Sequence, residues 1–215
     1  MTDPGFNGVC EGAKLLFSCT ATPEEWDTLS SIDDERVVRF YGTHPWYHDR
    51  VALERLERIL DDDPKACVGE IGLDLKRGRL EDQVRIFEDQ LALSKRYDRV
   101  ANIHMMGCEE EMLRILRKAR ATCIIHSFSG PESYIRPLSE CGCYFSISPR
   151  IHRKSKEKIG VLLSSIPEEK LLVETDAPNN RYQMDDHIMM LSSIMGIGTD
   201  ELMRITLRNA SSLIP

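Results

Sequence analysis

Four side chains that could hold a divalent cation stand within or just after short apolar segments of the sequence. They are two carboxylates and two imidazoles: Glu70, His104, His126 and Asp176. Imidazole and carboxylate together suit Zn²⁺, Mn²⁺ or Fe²⁺, and carboxylates also admit Mg²⁺. Such a centre acidifies water and polarises a phosphoryl or carbonyl oxygen. These residue types therefore predict metal-assisted hydrolysis, provided that the fold brings them together.

Each of the four residues also has an ordinary explanation when it is taken alone. A single histidine at a strand end is more often a hydrogen-bonded structural residue than a metal ligand. Glu70 could pair with a neighbouring arginine, and Asp176 could cap the turn that follows it. The case for a site therefore depends on whether the elements of the chain place all four residues at equivalent positions.

Those elements alternate between short apolar runs and longer segments of helical periodicity. The pattern predicts strands over residues 14–19, 37–41, 66–71, 100–104, 122–126, 143–147 and 170–174. It predicts helices over residues 51–60, 80–97, 109–120, 131–140, 155–165, 185–195 and 199–212. Regular alternation of this kind is typical of a parallel sheet with right-handed crossovers.

The predicted fold class is α/β, a TIM-type (β/α) barrel. Seven strands and a possible further strand at the very N-terminus favour closure, and an open doubly wound sheet is the alternative that periodicity leaves open. In such a barrel the reactive side chains lie at the carboxyl ends of the strands. Glu70, His104, His126 and Asp176 each lie at the end of a different strand, and His44 follows another. A closed barrel would direct all five to one mouth.

The composition is that of an ordinary globular chain. The 215 residues are 41% hydrophobic and 29% charged, no linker divides them, and we expect one domain over residues 1–215. Seven cysteines without a C-x-x-C pair do not suit a disulfide framework and favour a reducing compartment. No run approaches the roughly 18 apolar residues of a membrane span, and the N-terminus has no leader pattern. We therefore expect a cytoplasmic protein.

The net charge of −7 argues against a protein that coats nucleic acid electrostatically, but two basic clusters break the acidic background. The clusters are Lys76, Arg77 and Arg79 after one strand, and Arg150, His152, Arg153, Lys154, Lys156 and Lys158 after another. Both are predicted to lie in loops on the catalytic face, where they would attract an anionic substrate such as a phosphodiester. For the first cluster a solvated loop is an equally good interpretation.

Four of the residues near the predicted mouth are candidates for substrate binding: His44, Arg150, His152 and Arg153. His48 and His187 are expected at the surface. Trp46 either lies exposed beside the mouth or packs under it, and the sequence does not decide between these positions.

Several segments, in order along the chain, carry a family resemblance. They are Gly42-Thr43-His44-Pro45, Gly69-Glu70-Ile71-Gly72-Leu73-Asp74, Ile103-His104, His126-Ser127-Phe128-Ser129-Gly130, Phe145-Ser146-Ile147-Ser148, Glu174-Thr175-Asp176-Ala177-Pro178 and Thr206-x-x-Asn209-Ala210. Together they resemble the TatD family of metal-dependent hydrolases. The resemblance implies a TIM-barrel enzyme, usually a Mg²⁺-dependent deoxyribonuclease. It implies that Glu70 bridges two metals, that His104 and His126 hold one, and that Asp176 helps to hold the other and assists the attacking water.

The chain departs from this family at its beginning. Relatives start with a strand that ends in His-x-His, whereas Gly5 and Asn7 stand at those two positions here. Only residues 8–13 separate that stretch from the next strand, so the first βα unit is predicted to be shortened or incomplete. Met105 and Met106 also occupy a stretch where relatives often carry arginine. With His-x-His missing, we expect one tightly bound divalent ion (Mg, Mn or Zn) at most.

The leading functional hypothesis is a deoxyribonuclease or other phosphodiesterase in which Glu70 and Asp176 are catalytic and water is activated by metal. One alternative keeps the barrel and the metal but changes the bond to an amide or lactone, as in wider amidohydrolases. The other is a non-catalytic relative that retains binding and lost turnover with its His-x-His. The expected partner is DNA or another phosphodiester, without a membrane or an obligate protein partner.

Overall fold

The computed structural model describes residues 13–177 and 183–214. The strands are β1 (Leu16–Cys19), β2 (Val37–Tyr41), β3 (Cys67–Asp74), β4 (Ala101–Met106), β5 (Cys123–Ile125), β6 (Cys143–Ile147) and β7 (Leu171–Val173). The α-helices are α1 (Trp26–Ser30), α2 (Leu53–Asp62), α3 (Leu80–Arg96), α4 (Glu109–Ala119), α5 (Ile135–Glu140), α6 (Lys156–Ser165), α7 (Met184–Met195) and α8 (Thr199–Ser211). Every predicted strand and helix among these residues is present.

The strands form one parallel sheet in the order β1 to β7, each paired with its neighbours in the chain. Glu70 on β3 lies within ion-pair distance of His126 after β5, and His126 lies within that distance of Asp176 after β7. Contacts between strands that are not neighbours indicate that the sheet curls around its carboxyl end. The prediction of a TIM-type (β/α) fold is confirmed as an open barrel, because β1 and β7 are not paired with each other among the described residues. The possible N-terminal strand, with Gly5 and Asn7, lies outside the described residues, as does most of the segment 8–13.

Strand β3 is longer than its sequence pattern predicted. The apolar run predicted a strand that ends at Ile71, but pairing with β4 continues through Gly72 to Asp74. Two glycines interrupt the run and resemble turn residues in the sequence. In the structure Gly72 has φ +143°, and a Cβ atom there would overlap the carbonyl oxygen of His104 on β4. The glycine therefore permits close strand contact instead of ending the strand.

Helix α1 was not predicted, because it is too short to show an apolar period. A 3₁₀ turn (Pro23–Glu25) leads directly into it, and the carboxylate of Glu25 accepts hydrogen bonds from the N–H groups of Ala21 and Thr22 at 2.6 and 3.3 Å. Such an acceptor satisfies the free N–H groups at a helix start. The helix places Trp26, which is 1% exposed, against the core.

Apolar side chains pack on both faces of the sheet, as the alternation along a strand requires. One cluster lies between the sheet and the helices and includes Trp26, Tyr41, Leu56, Phe87 and Leu91. The other lies on the opposite strand face and consists of Val38, Phe40, Cys67, Val100, Ile124, Leu172 and Leu213. Because the sheet curls, this second cluster forms the floor beneath the polar end of the barrel. Within the described residues, no helix is long and apolar enough to cross a membrane.

Candidate metal centre at the carboxyl end of the sheet

Glu70 on β3 is the residue on which the polar side chains converge. Its Oε1 atom lies 3.0 Å from His104 Nδ1, 3.6 Å from His44 Nε2 and 3.7 Å from His126 Nε2. These three histidines follow or end β2, β4 and β5. The Glu70 side chain is 19% exposed, so water or a small ligand can reach it from the mouth.

His104 lies between two carboxylates. Its Nδ1 faces Glu70, and its Nε2 lies 3.2 Å from Asp74 Oδ2 at the end of β3. Asp74 is buried and accepts two further hydrogen bonds, from Trp46 Nε1 at 2.7 Å and from the N–H of Lys76 at 2.8 Å. Burial by itself would raise the pKa of Asp74, but these hydrogen bonds and that from His104 outweigh it and lower the pKa. Asp74 therefore stays ionised and can accept a hydrogen bond from His104 Nε2.

His126 has the same kind of arrangement with the two nitrogens exchanged. Its Nδ1 lies 2.9 Å from Glu174 Oε1, just beyond β7, while its Nε2 faces Glu70 and lies 3.6 Å from Asp176 Oδ1. Glu174 is itself held by the N–H of Ser127, which donates to Oε1 at 2.6 Å. A carboxylate on one ring nitrogen fixes the tautomer and orientation of a histidine that binds metal through the other.

His44 meets Glu70 by a different route. The ligand atoms of His44, Glu70 and His104 lie within 4.8 Å of one another, a spacing at which they could share an ion. However, the N–H of Trp46 donates to His44 Nδ1 at 3.2 Å. A neutral imidazole that accepts at Nδ1 carries its proton on Nε2. Because of that hydrogen bond, a neutral His44 carries its proton on Nε2 and donates toward the mouth. His104 and His126 instead have a carboxylate on the outward nitrogen. When either ring is neutral with its proton on that side, the nitrogen that faces Glu70 is unprotonated.

The charges of the cluster support one another. Burial alone would raise the pKa of Glu70, but the charge of His126 and hydrogen bonds from His104 and His44 hold that pKa well below its usual range. Burial alone would lower the pKa of His126, but Glu174, Glu70 and Asp176 raise it to about 10. Without a cation, His126 is therefore protonated at neutral pH and itself balances the carboxylates. A divalent ion would take over that role.

The backbone is unusual at two of the strand ends. Ser127 after β5 and Asp176 after β7 have φ values of +48° and +54°, in a left-handed region that non-glycine residues seldom adopt. Such conformations are held by the surrounding structure and cluster at functional sites. Here they turn the chain sharply beside His126 and aim the Asp176 carboxylate at the same histidine.

Helix α3 holds two of the strand-end loops through a pair of buried glutamines. Gln90 accepts a hydrogen bond from the N–H of Thr43 at 2.7 Å and donates to the Thr43 carbonyl at 3.2 Å. Two helical turns earlier, Gln83 makes the same pair of bonds to Asp74, at 2.7 and 3.0 Å. Both glutamines are 1% exposed. They set the backbone positions of the residue before His44 and of the carboxylate that orients His104.

A hydroxyl contact joins the centre to the second basic segment. Ser127 Oγ lies 2.5 Å from Ser148 Oγ, and Ser148 caps a 3₁₀ turn (Pro149–Arg153) by accepting from the N–H of Arg150 at 3.3 Å. The turn follows β6 and therefore lies on the same face as the candidate centre. It contains three of the predicted substrate-binding residues, Arg150, His152 and Arg153.

The structure corrects the expectation that His187 lies at the surface. It is 0% exposed: its Nε2 lies 2.9 Å from the carbonyl oxygen of Ile147 and its Nδ1 lies 2.9 Å from His152 Nε2. A carbonyl only accepts, so His187 carries its proton on Nε2 and accepts at Nδ1 from His152. Burial lowers the pKa of both rings. His187 thus fixes the orientation of a residue in the basic turn, and the pattern of its helix did not indicate this.

Comparison with known proteins agrees with this architecture. The sequence model of the family described as "TatD related DNase" matches residues 10–215. The chain belongs to the TatD family. Among TatD-family relatives it is 28% identical over 208 residues to the uncharacterized metal-dependent hydrolase TatD of Mycobacterium tuberculosis, covering 86% of this chain and 79% of that protein. It is 25% identical over 181 residues to human deoxyribonuclease TATDN3, covering 77% of this chain and 65% of that protein.

A solved TatD-family structure has the same fold. The crystal structure of YjjV, a TatD homolog from Escherichia coli, superposes with a TM-score of 0.83 over 94% of this chain and 87% of that one, at 24% identity. A TatD family hydrolase from Entamoeba histolytica superposes with a TM-score of 0.75 over 94% of this chain and 85% of that one, at 17% identity. At these identities the comparison establishes the fold, and the TatD membership rests on the sequence match.

The residues that face the centre could be predicted from the sequence, but those that orient them could not. Asp74 and Glu174 stood inside the TatD-like motifs, yet nothing in their spacing indicated that each would meet a histidine from another strand. Ser148 also stood inside a TatD-like motif without an assigned role, and His187 was expected at the surface. Glu70, His104, His126, Asp176 and His44 do lie together, as a barrel mouth requires.

Proposed function

We propose that this TatD-family chain is a divalent-metal-dependent phosphodiesterase that hydrolyses DNA. The observation that carries the proposal is the pairing of His104 with Asp74 and of His126 with Glu174. In each pair, the carboxylate holds one ring nitrogen while the other nitrogen faces Glu70. A histidine with a purely structural role does not need a carboxylate on both sides of its ring. The names of the relatives, which include metal-dependent hydrolases and a deoxyribonuclease, agree with it.

The chemistry of Glu70, His104 and His126 suits a divalent cation, although without an ion it is the ligand atoms of His44, Glu70 and His104 that lie within 4.8 Å of one another. Two imidazole nitrogens and a carboxylate are the ligands of an open catalytic site, in which water completes the coordination. The same ligands suit Zn²⁺ or Mn²⁺, and Mg²⁺ is accepted where carboxylates dominate. When bound there, the cation lowers the pKa of a water molecule and polarises a phosphoryl oxygen.

The protein's own groups then divide the remaining work. Asp176, beside His126, accepts a proton from the attacking water as the oxygen of that water bonds to phosphorus. The bond from phosphorus to the leaving oxygen breaks, and the leaving oxygen takes its proton from solvent water. His44 donates from Nε2 to a phosphate oxygen, as its hydrogen bond from Trp46 arranges. In this scheme Glu70 and Asp176 are catalytic, and His44 binds substrate.

The basic turn after β6 supplies the remaining contacts to substrate. Arg150, His152 and Arg153 lie in one 3₁₀ turn that is tied through Ser148 to the residue after His126. Positive charge at this place attracts a phosphodiester to a chain whose net charge is −7. Opposite charge at Arg153 should weaken DNA binding and reduce its dependence on salt.

The test is digestion of single- and double-stranded DNA by the purified chain with Mg²⁺, Mn²⁺ or Zn²⁺, and with EDTA. We expect metal-dependent cleavage that Glu70→Ala abolishes and that Glu54→Ala, an exposed glutamate on α2, leaves unchanged. Cleavage that survives Glu70→Ala would indicate a contaminating nuclease. Binding of DNA without cleavage under every metal would instead support a non-catalytic relative and overturn the proposal.

A further inference from the structure

Trp46 lies at the mouth of the candidate centre with 46% of its surface exposed. The centroid of its ring is 4.9 Å from that of His44 and 6.2 Å from that of His104. The chain has two tryptophans, and the other, Trp26, is 1% exposed in the core. A large aromatic surface is thus presented to solvent directly beside the residues proposed to do chemistry.

The indole is fixed in this position. Its Nε1–H donates to Asp74 Oδ2 at 2.7 Å, and its backbone N–H donates to His44 Nδ1 at 3.2 Å. It stands in a 3₁₀ turn (Pro45–Arg50), next to the buried Pro45. A ring held at its polar edge and its backbone offers its exposed apolar surface for contact at little entropic cost on binding.

A cation accompanies the ring. The guanidinium carbon of Arg77 lies 4.6 Å from the Trp46 ring centroid, a cation–π distance. Arg79, in the same basic cluster, is paired with Glu81 and Asp82. Among the residues that the structure describes, Arg77 has no such carboxylate partner. Its charge is therefore available to an anion that approaches the indole.

We propose that Trp46 and Arg77 form a subsite for one unpaired nucleotide, with the base stacked on the indole and the phosphate facing Arg77 and His44. The subsite rests on the proposed function, since it orients a nucleic-acid strand toward Glu70. Base–aromatic stacking beside a cation is how proteins hold single strands, because every base has a flat face. In a duplex those faces are occupied by neighbouring base pairs, so the subsite takes a base that is unstacked.

The test compares two compounds that differ only by the base: thymidine 5′-monophosphate and 2-deoxyribose 5-phosphate. Neither contains a phosphodiester bond, so both can be titrated into the Mg²⁺-loaded protein without turnover, with tryptophan fluorescence as the signal. We expect the nucleotide to bind roughly 5- to 100-fold more tightly than the sugar phosphate, as stacking of one base predicts. We also expect only the nucleotide to quench the emission of Trp46.

Three substitutions assign the effect. Trp46→Leu should abolish the preference for the nucleotide, whereas Trp46→Phe should retain part of it. Both variants lose the Nε1–H bond to Asp74, so the difference between them reports the aromatic face alone. Arg77→Ala should weaken binding of both compounds alike, and Met203→Ala, an exposed apolar residue on α8, should change neither.

Equal binding of the two compounds by the wild type, or a preference that persists in Trp46→Leu, would overturn the subsite. The result is independent of turnover. A nucleotide preference that depends on Trp46 in a protein that cleaves no DNA would support the subsite while the proposed nuclease activity fails. Cleavage of DNA by a protein that lacks the nucleotide preference would support the nuclease activity and overturn the subsite.

Discussion

The three histidines around Glu70 lie at similar distances from it. They differ in the group that contacts the ring nitrogen pointing away from Glu70. His104 and His126 each place a carboxylate on that nitrogen, whereas His44 places a backbone N–H there. A carboxylate only accepts a hydrogen bond, whereas an N–H only donates one. His104 and His126 can therefore present an unprotonated nitrogen to the mouth, while His44 presents an N–H. Two are suited to bind a cation, and one is suited to donate to a phosphate oxygen.

A first prediction concerns those orienting carboxylates. Asp74→Asn and Glu174→Gln should each lower the affinity for Mn²⁺ by roughly 10- to 100-fold, because such partners hold the ring and raise its basicity. Isothermal titration calorimetry of the three proteins measures this directly. Asp33→Asn, in an exposed loop, is the matched control and should bind as the wild type does. Unchanged affinity in both test variants would mean that the carboxylates have only a structural role.

A second prediction concerns pH and His126. Its pKa of about 10 in the cation-free protein lies above its ordinary value of 6.5. The resulting stabilisation is complete below pH 6.5 and is lost as pH rises toward 10. Urea unfolding in EDTA should therefore show a free energy of unfolding that falls between pH 7 and 10. The affinity of the protein for Mn²⁺, measured by titration, should rise between pH 7 and 10, because Mn²⁺ binding requires the unprotonated ring.

The comparison for this pH effect is His126→Asn, which should lose most of the alkaline slope in EDTA. His48→Asn changes a half-buried histidine whose ring contacts the Pro45 carbonyl, outside the carboxylate cluster, and should keep the slope. If His126→Asn and the wild type lose stability in parallel, the alkaline loss belongs to other groups.

At the scale of elements, α3 acts as a brace for the mouth. Its apolar side chains pack against the sheet, and its buried Gln83 and Gln90 bond to the two loops that follow β3 and β2. The same helix that covers the outside of the barrel therefore sets the backbone on which His44 and Asp74 depend. Buried amides facing strand ends have this effect because the backbone groups of a turn have no sheet partner.

A third prediction tests this brace. Gln90→Leu keeps the apolar stem but leaves the buried N–H and carbonyl of Thr43 without their partner. An unsatisfied buried group costs roughly 1–3 kcal/mol, so we expect a loss of about 2 kcal/mol or more in the free energy of unfolding by urea. Arg85→Ala, on the exposed face of the same helix, should change it by less than about 0.5 kcal/mol. Equal effects of the two variants would exclude a bracing role.

At the scale of the whole molecule, the parallel sheet and its curl bring ligands from separate strands to one place. Glu70 and Asp176, distant along the chain, both lie against His126. Although the chain is anionic overall, two clusters of basic residues follow β3 and β6 on this face. Under the proposed function, this placement would attract a phosphodiester toward Glu70.

A fourth prediction follows for metal content. The family resemblance predicts that Gly5 and Asn7 replace the histidines of the TatD His-x-His, so we expect the proposed centre of Glu70, His104 and His126 to hold one ion. Elemental analysis of the purified full chain should find at most one divalent metal per molecule, and EDTA should lower its melting temperature, since a ligand that binds only the folded state stabilises it. Two stoichiometric metals would contradict this.

The sequence by itself determined the class of the fold and the principal residues of the centre. The strand and helix periods indicated a parallel sheet without deciding whether it closes. They placed Glu70, His104 and His126 toward the carboxyl ends of the predicted strands, so their proximity followed from the parallel topology. Local patterns carry such information because burial and backbone geometry act on neighbouring residues.

Only the tertiary structure decided which nitrogen of each histidine faces inward, that Asp74 and Glu174 set this choice, and that His187 is buried against His152. It also decided that Trp46 lies exposed at the mouth and not beneath it. These features depend on contacts between residues far apart in the chain, and on hydrogen-bond partners that no local period encodes. For that reason the sequence indicated where the chemistry would lie, while the roles of the individual side chains required the folded molecule.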